Sequence, residues 1–272
     1  MWIKKTPCDI LISMLKRLGN HVLQKFENIP YALGFIGHVF KYSALFVTRG
    51  KAARKILIMQ LLFTYIEALP LIAVLALALG SALYLVGNPL LLSIGQSTLI
   101  YKLLVVIIAQ ELGPILVAFI VTARSATAIA TELGSMVVTH QIESYVSVGV
   151  DPLNHLVTPR FMGVTASVFL LTVYFSLCGL IGPYFLTLIF DPVSAGGYFA
   201  ELFKELTVSV ILTSALKSIL FGMAISLVAC YFGLNVERAS TEVPIAAISA
   251  VGNSFFGIIL VDVFIVVLQY IF

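Results

Sequence analysis

Five long apolar stretches constrain the fold of this chain more than any other feature. They lie at about Ile66–Val86, Leu99–Ala123, Phe161–Ile189, Thr207–Phe232 and Ile245–Ile271. Each reaches the about 20 residues that a helix needs to cross the hydrocarbon of a bilayer. Only 11% of the residues are charged, against about 25% in soluble domains, and the stretches lack the alternation of outer-membrane strands. The sequence therefore predicts an all-α, polytopic membrane protein with five transmembrane helices.

Basic residues are concentrated at the N-terminal end of the chain. Ten of the 16 Lys and Arg residues precede residue 56. Because Lys and Arg accumulate on the cytoplasmic side of membrane proteins, the N-terminus is predicted to lie inside and, after five spans, the C-terminus outside. The apolar remainder of the chain favours anionic lipid headgroups, and not nucleic acid, as the partner of this basic region.

The N-terminal segment, 1–55, differs in character from the rest. Residues 8–27 carry apolar side chains on one side at helical spacing, the pattern of an amphipathic helix that lies in the membrane interface. The next apolar segment, Tyr31–Thr48, is interrupted by a histidine and a lysine; it is predicted to be interfacial or re-entrant, with a sixth span as the alternative. We therefore divide the chain into an interfacial segment, residues 1–55, and a transmembrane domain, residues 56–272.

Motifs that would give this chain chemistry of its own are missing from the sequence. It contains no Walker A motif, no G-x-S-x-G and no H-E-x-x-H. Cys8, Cys178 and Cys230 form neither a metal spacing nor a disulfide framework, and His140 and His155 are singletons. We therefore expect no catalytic residue, no metal site and no cofactor in this chain.

The segment 124–160 is the longest polar stretch between two spans. Gly149 can end a helix there, and Asp151-Pro152 restricts the chain that follows. The sequence thus predicts a short amphipathic helix at the cytoplasmic surface, serving either as a passive connector or as a helix that docks into a cytoplasmic partner. Its apolar face is formed by Val138, Ile142, Tyr145, Val146 and Gly149.

The same region carries a dense and ordered set of motifs. They are Glu111-Leu112-Gly113-Pro114, Ala123-Arg124, Ala130–Met136, Thr139–Glu143, Gly149–Pro152 and Pro159-Arg160, followed by Leu216-Lys217-Ser218, Cys230–Asn235 and Asp262. Together they resemble the signature of the MlaE-type (YrbE-type) permeases, and the resemblance covers roughly residues 55–270. Departures from the pattern occur at Gln110, Ile245 and Ser249, where many members have arginine, and the lost positive charge bears on the class of lipid handled.

The resemblance implies a role in lipid transport. It implies a homodimeric permease subunit of an ABC transporter, in the bacterial inner membrane, with the N-terminus cytoplasmic and the C-terminus periplasmic. Phospholipid or a related lipid would move between that membrane and a periplasmic MCE-domain carrier, which maintains outer-membrane lipid asymmetry. A partner ATPase would supply ATP hydrolysis, and many members also have a small STAS-domain protein.

The resemblance also assigns roles to residues. The short helix, at about Thr139–Val148, would be the coupling helix that sits in a cleft of the ATPase, with Glu143 and the face around Tyr145 in contact. The residues expected to take part in ATPase coupling are Arg124, Glu132, Thr139, Gln141, Ile142, Glu143, Tyr145, Gly149, Asp151 and Pro152.

Charged residues inside the spans suggest where a lipid would pass. Glu111 lies about midway along the second span, where a carboxylate costs about 2.5–3.5 kcal/mol on insertion scales, and Pro114 is expected to break the helix there. Our hypothesis is that Gln110, Glu111, Gly113 and Pro114 line a lipid-entry cavity near the dimer interface; the alternative is a kink whose carboxylate pairs with a neighbouring helix.

Four other charged residues complete this interpretation. Lys217 is expected to line the cavity or to pair. Asp262 is assigned a structural role, bonded to backbone or hydroxyl groups of a neighbouring helix. Arg124 and Glu132 could pair with each other or with the ATPase.

Three other functions were weighed against a lipid permease. An ion-gradient-driven secondary transporter could use Glu111 and Asp262 as proton or cation sites, but it predicts an inverted repeat, and the sequence shows none. A membrane-embedded lipid enzyme would need the catalytic motifs that are missing. A purely structural scaffold would leave the buried Glu111, Lys217 and Asp262 unexplained.

Overall fold

The computed structural model describes residues 34–44, 51–96, 98–190, 195–237 and 239–271, and those residues form helices joined by short turns. The helices are α1 (34–44), α2 (Lys51–Ser93), α3 (Leu99–Val138), α4 (Gln141–Ser147), α5 (Thr158–Phe190), α6 (Ala195–Glu205), α7 (Val208–Leu234) and α8 (Val243–Ile271). Five of them are long and apolar enough to cross a membrane. The predicted all-α fold with five spans is therefore confirmed.

The N-terminal segment is described only in part. The predicted amphipathic helix at residues 8–27 lies outside the described residues. Within Tyr31–Thr48 the structure describes residues 34–44, which form α1. Its Phe40 ring packs edge-on against Phe161 at 5.4 Å, so α1 lies against the start of α5. The interfacial or re-entrant placement of this segment, and the alternative of a sixth span, stay predictions. The proposed division at residue 55 falls within α2 and stays a prediction.

Close backbone approaches hold the long helices together. α5 packs against both α2 and α7, and glycines lie where the backbones meet. A Cβ added to Gly80 would overlap the carbonyl oxygen of Gly179, and a Cβ at Gly222 would lie 2.7 Å from Cα of Thr165. Small residues of this kind let membrane helices gain van der Waals contact where lipid supplies no hydrophobic driving force.

We expect Gly80→Ala to destabilise the protein by about 1–3 kcal/mol, because the added methyl group meets a backbone oxygen that no side-chain rotation can move. The matched control is Gly37→Ala on α1, where nothing lies within 4 Å of the added atom. The measurement is the thermal unfolding midpoint of the detergent-solubilised chain. Equal midpoints for the two variants would contradict the close α2–α5 contact.

The helix that contains the second span continues past the predicted end of that span. The prediction ended it at Ala123, but α3 continues as a helix to Val138. Hydroxyl groups explain the difference: Thr127 donates to the carbonyls of Ala123 and Arg124, and Thr131 to the carbonyl of Thr127. These polar side chains are satisfied by their own helix, so the polar composition does not end it.

Glu111 lies in a widened stretch of α3. Residues Val105–Leu112 form a π-helical segment, and the Gly113 N–H donates to the carbonyl of Ile108, one π-helical turn back. This wider turn directly precedes Pro114, where the sequence predicts a break. The chain remains helical there. A Cβ at Gly113 would lie 2.7 Å from the Ile108 oxygen, so glycine is needed for the geometry. Such π-bulges occur frequently at functional sites.

Candidate functional site

A buried lysine joins three of the spans. The Lys217 side chain on α7 is 0% exposed and lies between Glu111 of α3 and Asp262 of α8. Its Nζ is 2.5 Å from Oε2 of Glu111 and 3.2 Å from Oδ1 of Asp262. The second approach lacks the angles of a hydrogen bond, since Asp262 Oδ1 has no hydrogen-bond partner among the described residues. We call these three residues the charge cluster.

The charge cluster lies near the middle of the membrane. Measured along the helix axes at about 1.5 Å per residue, Glu111 lies about 18 Å from Leu99, the start of α3, and Lys217 lies about 13 Å from Val208, the start of α7. Both positions are close to the midpoint of an about 30 Å hydrocarbon layer. Pairing there offsets the cost of placing charge away from water.

A second contact holds α7, the helix of Lys217, against the π-helical segment of α3. Ser214, one turn before Lys217 on α7, donates its hydroxyl to the carbonyl of Ala109 at 2.8 Å. Ala109 belongs to the π-helical segment that also carries Glu111. The packing of α7 against this segment therefore sets the distance between Lys217 and Glu111.

The structure brings some of the predicted cavity residues together. Glu111 and Lys217 are in contact, Gln110 is half-buried, and Gly113 and Pro114 are buried. Their neighbours Ala109, Ser214 and Ser218 line a groove of about 310 Å³ between α3, α5 and α7, which these five residues do not line. The lining of a lipid cavity by Gln110–Pro114 and Lys217 stays a prediction.

Asp262 has a different partner from the one expected, and its structural role stays a prediction. We expected backbone or hydroxyl groups of a neighbouring helix, and the carboxylate instead faces Lys217. The sequence shows that Asp262 and Lys217 are both within spans, but it does not show which faces of α7 and α8 meet. The proximity of these two charges is therefore visible only in the folded chain.

Arg124 and Glu132 do not pair with each other. Both lie on the continuous helix α3, about 12 Å apart along its axis. Arg124 contacts Glu67 of α2, with Nη2 2.6 Å from Oε2. Glu132 contacts Arg160 of α5 at 2.7 Å, and Arg160 also donates to the Leu156 carbonyl.

Arg124 and Glu132 lie at different distances from α4, so the coupling role predicted for both fits them unequally. Arg124 lies about 21 Å from the end of α3 at Val138, so a partner docked on α4 is distant from it. Glu132 lies only about 9 Å from that end, and its pair with the buried Arg160 joins α3 and α5 beside α4.

The short helix between the second and third spans is present as α4, Gln141–Ser147. Ile142 and Tyr145 are half-buried, and the Tyr145 ring lies 5.6 Å from His155. Gln141 and Glu143 are exposed, and Val146, predicted to lie on the inward face, is 60% exposed. Glu143 and Val146 lie about 60° apart around the helix and form one exposed side that is open to a partner, whereas Gln141 lies on the opposite flank. The predicted contact of the ATPase with the face around Tyr145 stays a prediction.

The remaining predicted coupling residues shape the turns around α4. Thr139 donates its hydroxyl to the Ser135 carbonyl at 2.8 Å, at the end of α3. Gly149, with φ of +78°, ends α4, and Asp151 accepts a hydrogen bond from the Leu153 N–H at 3.0 Å. Pro152 precedes the π-helical turn that leads into α5. None of these four roles requires a partner.

One strained residue precedes α4. His140 has φ of +58°, a left-handed conformation that is uncommon for a non-glycine residue. Its Nδ1 lies 3.0 Å from Oε2 of Glu143, and both side chains are more than half exposed. The contact orients Glu143 at the start of α4.

Sequence reasoning missed three partners. Glu67, Arg160 and Ser214 each complete a contact described above. Arg160 belongs to the Pro159-Arg160 motif and Glu67 is an acidic residue near the start of the first span, but Ser214 gave no signal. The departures Ile245 and Ser249 line one cavity of about 590 Å³ together with Glu242.

Comparisons with known proteins identify the family of this chain. Residues 57–268 match the family model described as Permease MlaE. The chain is 25% identical to a probable ABC transporter permease protein of Rickettsia prowazekii, over 90% of this chain and 93% of that protein. It is 24% identical to the intermembrane phospholipid transport system permease protein MlaE of Haemophilus influenzae, over 85% and 87% of the two chains. Protein TRIGALACTOSYLDIACYLGLYCEROL 1, chloroplastic, of Arabidopsis thaliana is 30% identical over 62% of this chain and 48% of that protein.

Proposed function

This chain belongs to the MlaE permease family, and from that premise we propose that it is the membrane-spanning subunit of an ABC transporter that moves phospholipid or a related lipid. The observation that carries the proposal is the family match over residues 57–268, which takes in nearly the whole of all five spans. The similarity to a phospholipid transport permease of Haemophilus influenzae supports the class of substrate.

In the proposed mechanism a partner ATPase supplies the energy and docks on α4. The exposed Val146 and Val148, 60% and 79% exposed, offer apolar contact outside the spans, and Glu143 adds a charge beside them. Short turns join α4 to α3 and α5, and the Glu132–Arg160 pair holds those helices together. A displacement of α4 is therefore passed to two spans at once.

The charge cluster gives the spans two ways to pack. Lys217 Nζ lies within 3.2 Å of both carboxylates, so a tilt between α3 and α8 can transfer its closest contact from Glu111 to Asp262 without leaving a charge unpaired. Two discrete arrangements of this kind, biased by the nucleotide state of a partner, are the elements from which switching transitions are built.

The proposed transporter is an assembly of two copies of this chain with partner proteins on both sides of the membrane. Two copies would meet through α8, where Phe256, Leu260 and Val263 are 68%, 57% and 56% exposed, and lipid would enter between them. In a bacterial inner membrane, α4 and the N-terminus would face the cytoplasm and the C-terminus the periplasm. A periplasmic MCE-domain protein would exchange lipid with the permease and so maintain outer-membrane lipid asymmetry, and a STAS-domain protein would bind the ATPase.

An ion-gradient-driven transporter is the weaker alternative. It needs Glu111 and Asp262 as sites for a proton or a cation. Both carboxylates face Lys217, whose ammonium group occupies the position between them that a transported cation would take.

Mass spectrometry of the chain, gently extracted from its own membrane, tests the proposed function. We expect an ATPase and an MCE-domain protein in near-stoichiometric amounts, together with phospholipid enriched over the bulk membrane. A chain that arrives alone, with lipids that match the bulk membrane, would contradict the proposal.

A further inference from the structure

A second ion pair lies on the surface of the helix bundle, away from the charge cluster. Arg124 of α3 donates to the carboxylate of Glu67 on α2 at 2.6 Å and also to the Glu67 backbone carbonyl. Although they are in contact, the two side chains remain 41% and 46% exposed. Both therefore keep hydrogen-bonding capacity for a third group.

The pair borders a small cavity with one polar and one apolar side. Its volume is about 240 Å³, and it is lined by Glu67, Arg124, Thr64 and Ser125 together with the apolar Phe63, Ala68, Val121 and Ala128. Thr64 is 3% exposed, and its hydroxyl has no hydrogen-bond partner among the described residues. A buried hydroxyl without a partner is costly, which points to a polar ligand at this place.

The depth of the pair corresponds to a layer of lipid headgroups. Measured along the helix axes, Glu67 lies about 39 Å from Ser93, the end of α2, and Arg124 lies about 37 Å from Leu99, the start of α3. With Ser93 and Leu99 taken as one edge of the hydrocarbon layer, which is about 30 Å thick, both charges fall beyond its other edge, on the side of the membrane where α4 is found.

We propose that Arg124 and Glu67 form a recognition site for the headgroup of a zwitterionic phospholipid, on the α4 side of the membrane. The Arg124 guanidinium binds the lipid phosphate, for which its planar donors are suited, and the Glu67 carboxylate binds the ammonium group. Glu67 repels the headgroup of an anionic phospholipid, so the pair selects between the two classes. This inference rests on the proposed lipid transport.

A purely structural ion pair at this position would add little to the stability of the protein. Exposed ion pairs contribute about 0–1 kcal/mol to stability, and Arg124 and Glu67 are both nearly half exposed. A site at headgroup depth, with opposite charges side by side and an adjoining cavity, matches the charge distribution of a zwitterion.

The test uses the complete transporter complex, reconstituted in vesicles of equal parts phosphatidylethanolamine and phosphatidylglycerol. The readouts are the ratio of the two lipids retained on purification and the ATP-driven transfer of each. We expect Glu67→Gln to lower the ratio of phosphatidylethanolamine to phosphatidylglycerol about fivefold, equivalent to about 1 kcal/mol. Arg124→Gln is expected to lower the retention of both lipids, because both carry a phosphate.

Glu201→Gln is the matched control, since it removes a carboxylate from another exposed ion pair, with Lys204 on α6. It should leave the lipid ratio unchanged. An unchanged ratio in Glu67→Gln, with transfer intact, would overturn the headgroup site and leave the proposed function standing. Loss of thermal stability in Arg124→Gln without loss of either lipid would reduce the pair to a structural role. A wild-type complex that transfers neither lipid would remove the proposed function and this site with it.

Discussion

Lys217→Met is expected to destabilise the protein by about 3–5 kcal/mol, because it leaves Glu111 and Asp262 facing each other without their shared cation in a buried site. The Lys217 side chain is 0% exposed, while those of Glu111 and Asp262 are 32% and 20% exposed. Methionine keeps much of the length and apolar volume of the lysine stem, so the change isolates the charge. The measurement is the thermal unfolding midpoint in detergent together with the yield of monodisperse protein.

Lys204→Met on α6 is the control, since Lys204 is 72% exposed and its nearest carboxylate oxygen is 3.8 Å away. It is expected to leave the midpoint nearly unchanged, as surface pairs contribute little. If Lys217→Met were as stable as this control, the three charges would not form a buried cluster.

A triple variant separates stability from transport. Glu111→Gln, Lys217→Met and Asp262→Asn together remove every charge of the cluster, and replacement of a whole buried ionic group by neutral residues is often neutral or stabilising. We expect the triple variant to regain most of the lost stability and to remain inactive in ATP-driven lipid transfer, because exchange of the Lys217 contact is no longer possible. Wild-type transfer by the triple variant would show that the cluster only holds the spans together.

The second large effect is expected at α4. Glu143→Lys should weaken association with the partner ATPase at least about tenfold, a change of about 1.4 kcal/mol, and abolish ATP-driven transfer while lipid retention persists. The reason is that the exposed side of the helix formed by Glu143 and Val146 is proposed to enter the partner, where a reversed charge is costly. Val146→Asp, which places a charge on the 60% exposed valine, should have the same result without depending on the charge of the partner.

Association is measured by the amount of ATPase that co-purifies with each variant. Glu201→Lys on α6 is the matched control, a charge reversal at a site outside α4, and is expected to leave the ATPase bound. Wild-type association of Glu143→Lys and Val146→Asp would show that the partner does not dock on this side of α4.

The sequence predicts the elements of this fold better than their ends. Five apolar stretches correspond to five spans because hydrophobic length is a property of the chain alone. The end of α3 was predicted at Ala123 and lies at Val138, because Thr127 and Thr131 bond to their own helix. Polar composition indicates a loop only where such side chains cannot find partners within the helix.

The partners of the charged residues were harder to predict from the sequence than the helices. The positions of Glu111, Lys217 and Asp262 inside the spans could be predicted from their place within apolar stretches, and pairing of Glu111 and of Lys217 was among the expectations. Which residues pair could not be predicted, because it depends on how α3, α7 and α8 rotate about their axes. The same limit applies to Arg124, whose partner Glu67 is distant in the chain.

The short helix α4 shows a similar limit. Helical periodicity predicted the inward face of Ile142 and Tyr145 correctly but assigned Val146 to the wrong side. The helix runs only from Gln141 to Ser147, so it has too few turns for periodicity to define its buried face sharply.

The most direct test of the account is lipid transfer by the reconstituted complex, measured with ATP, with a non-hydrolysable ATP analogue, and with an imposed proton or sodium gradient alone. The proposed function predicts transfer that requires ATP hydrolysis and the partner ATPase and that is indifferent to the gradients. Transfer driven by a gradient in the absence of the ATPase would contradict it and would make Glu111 and Asp262 ion-coupling sites.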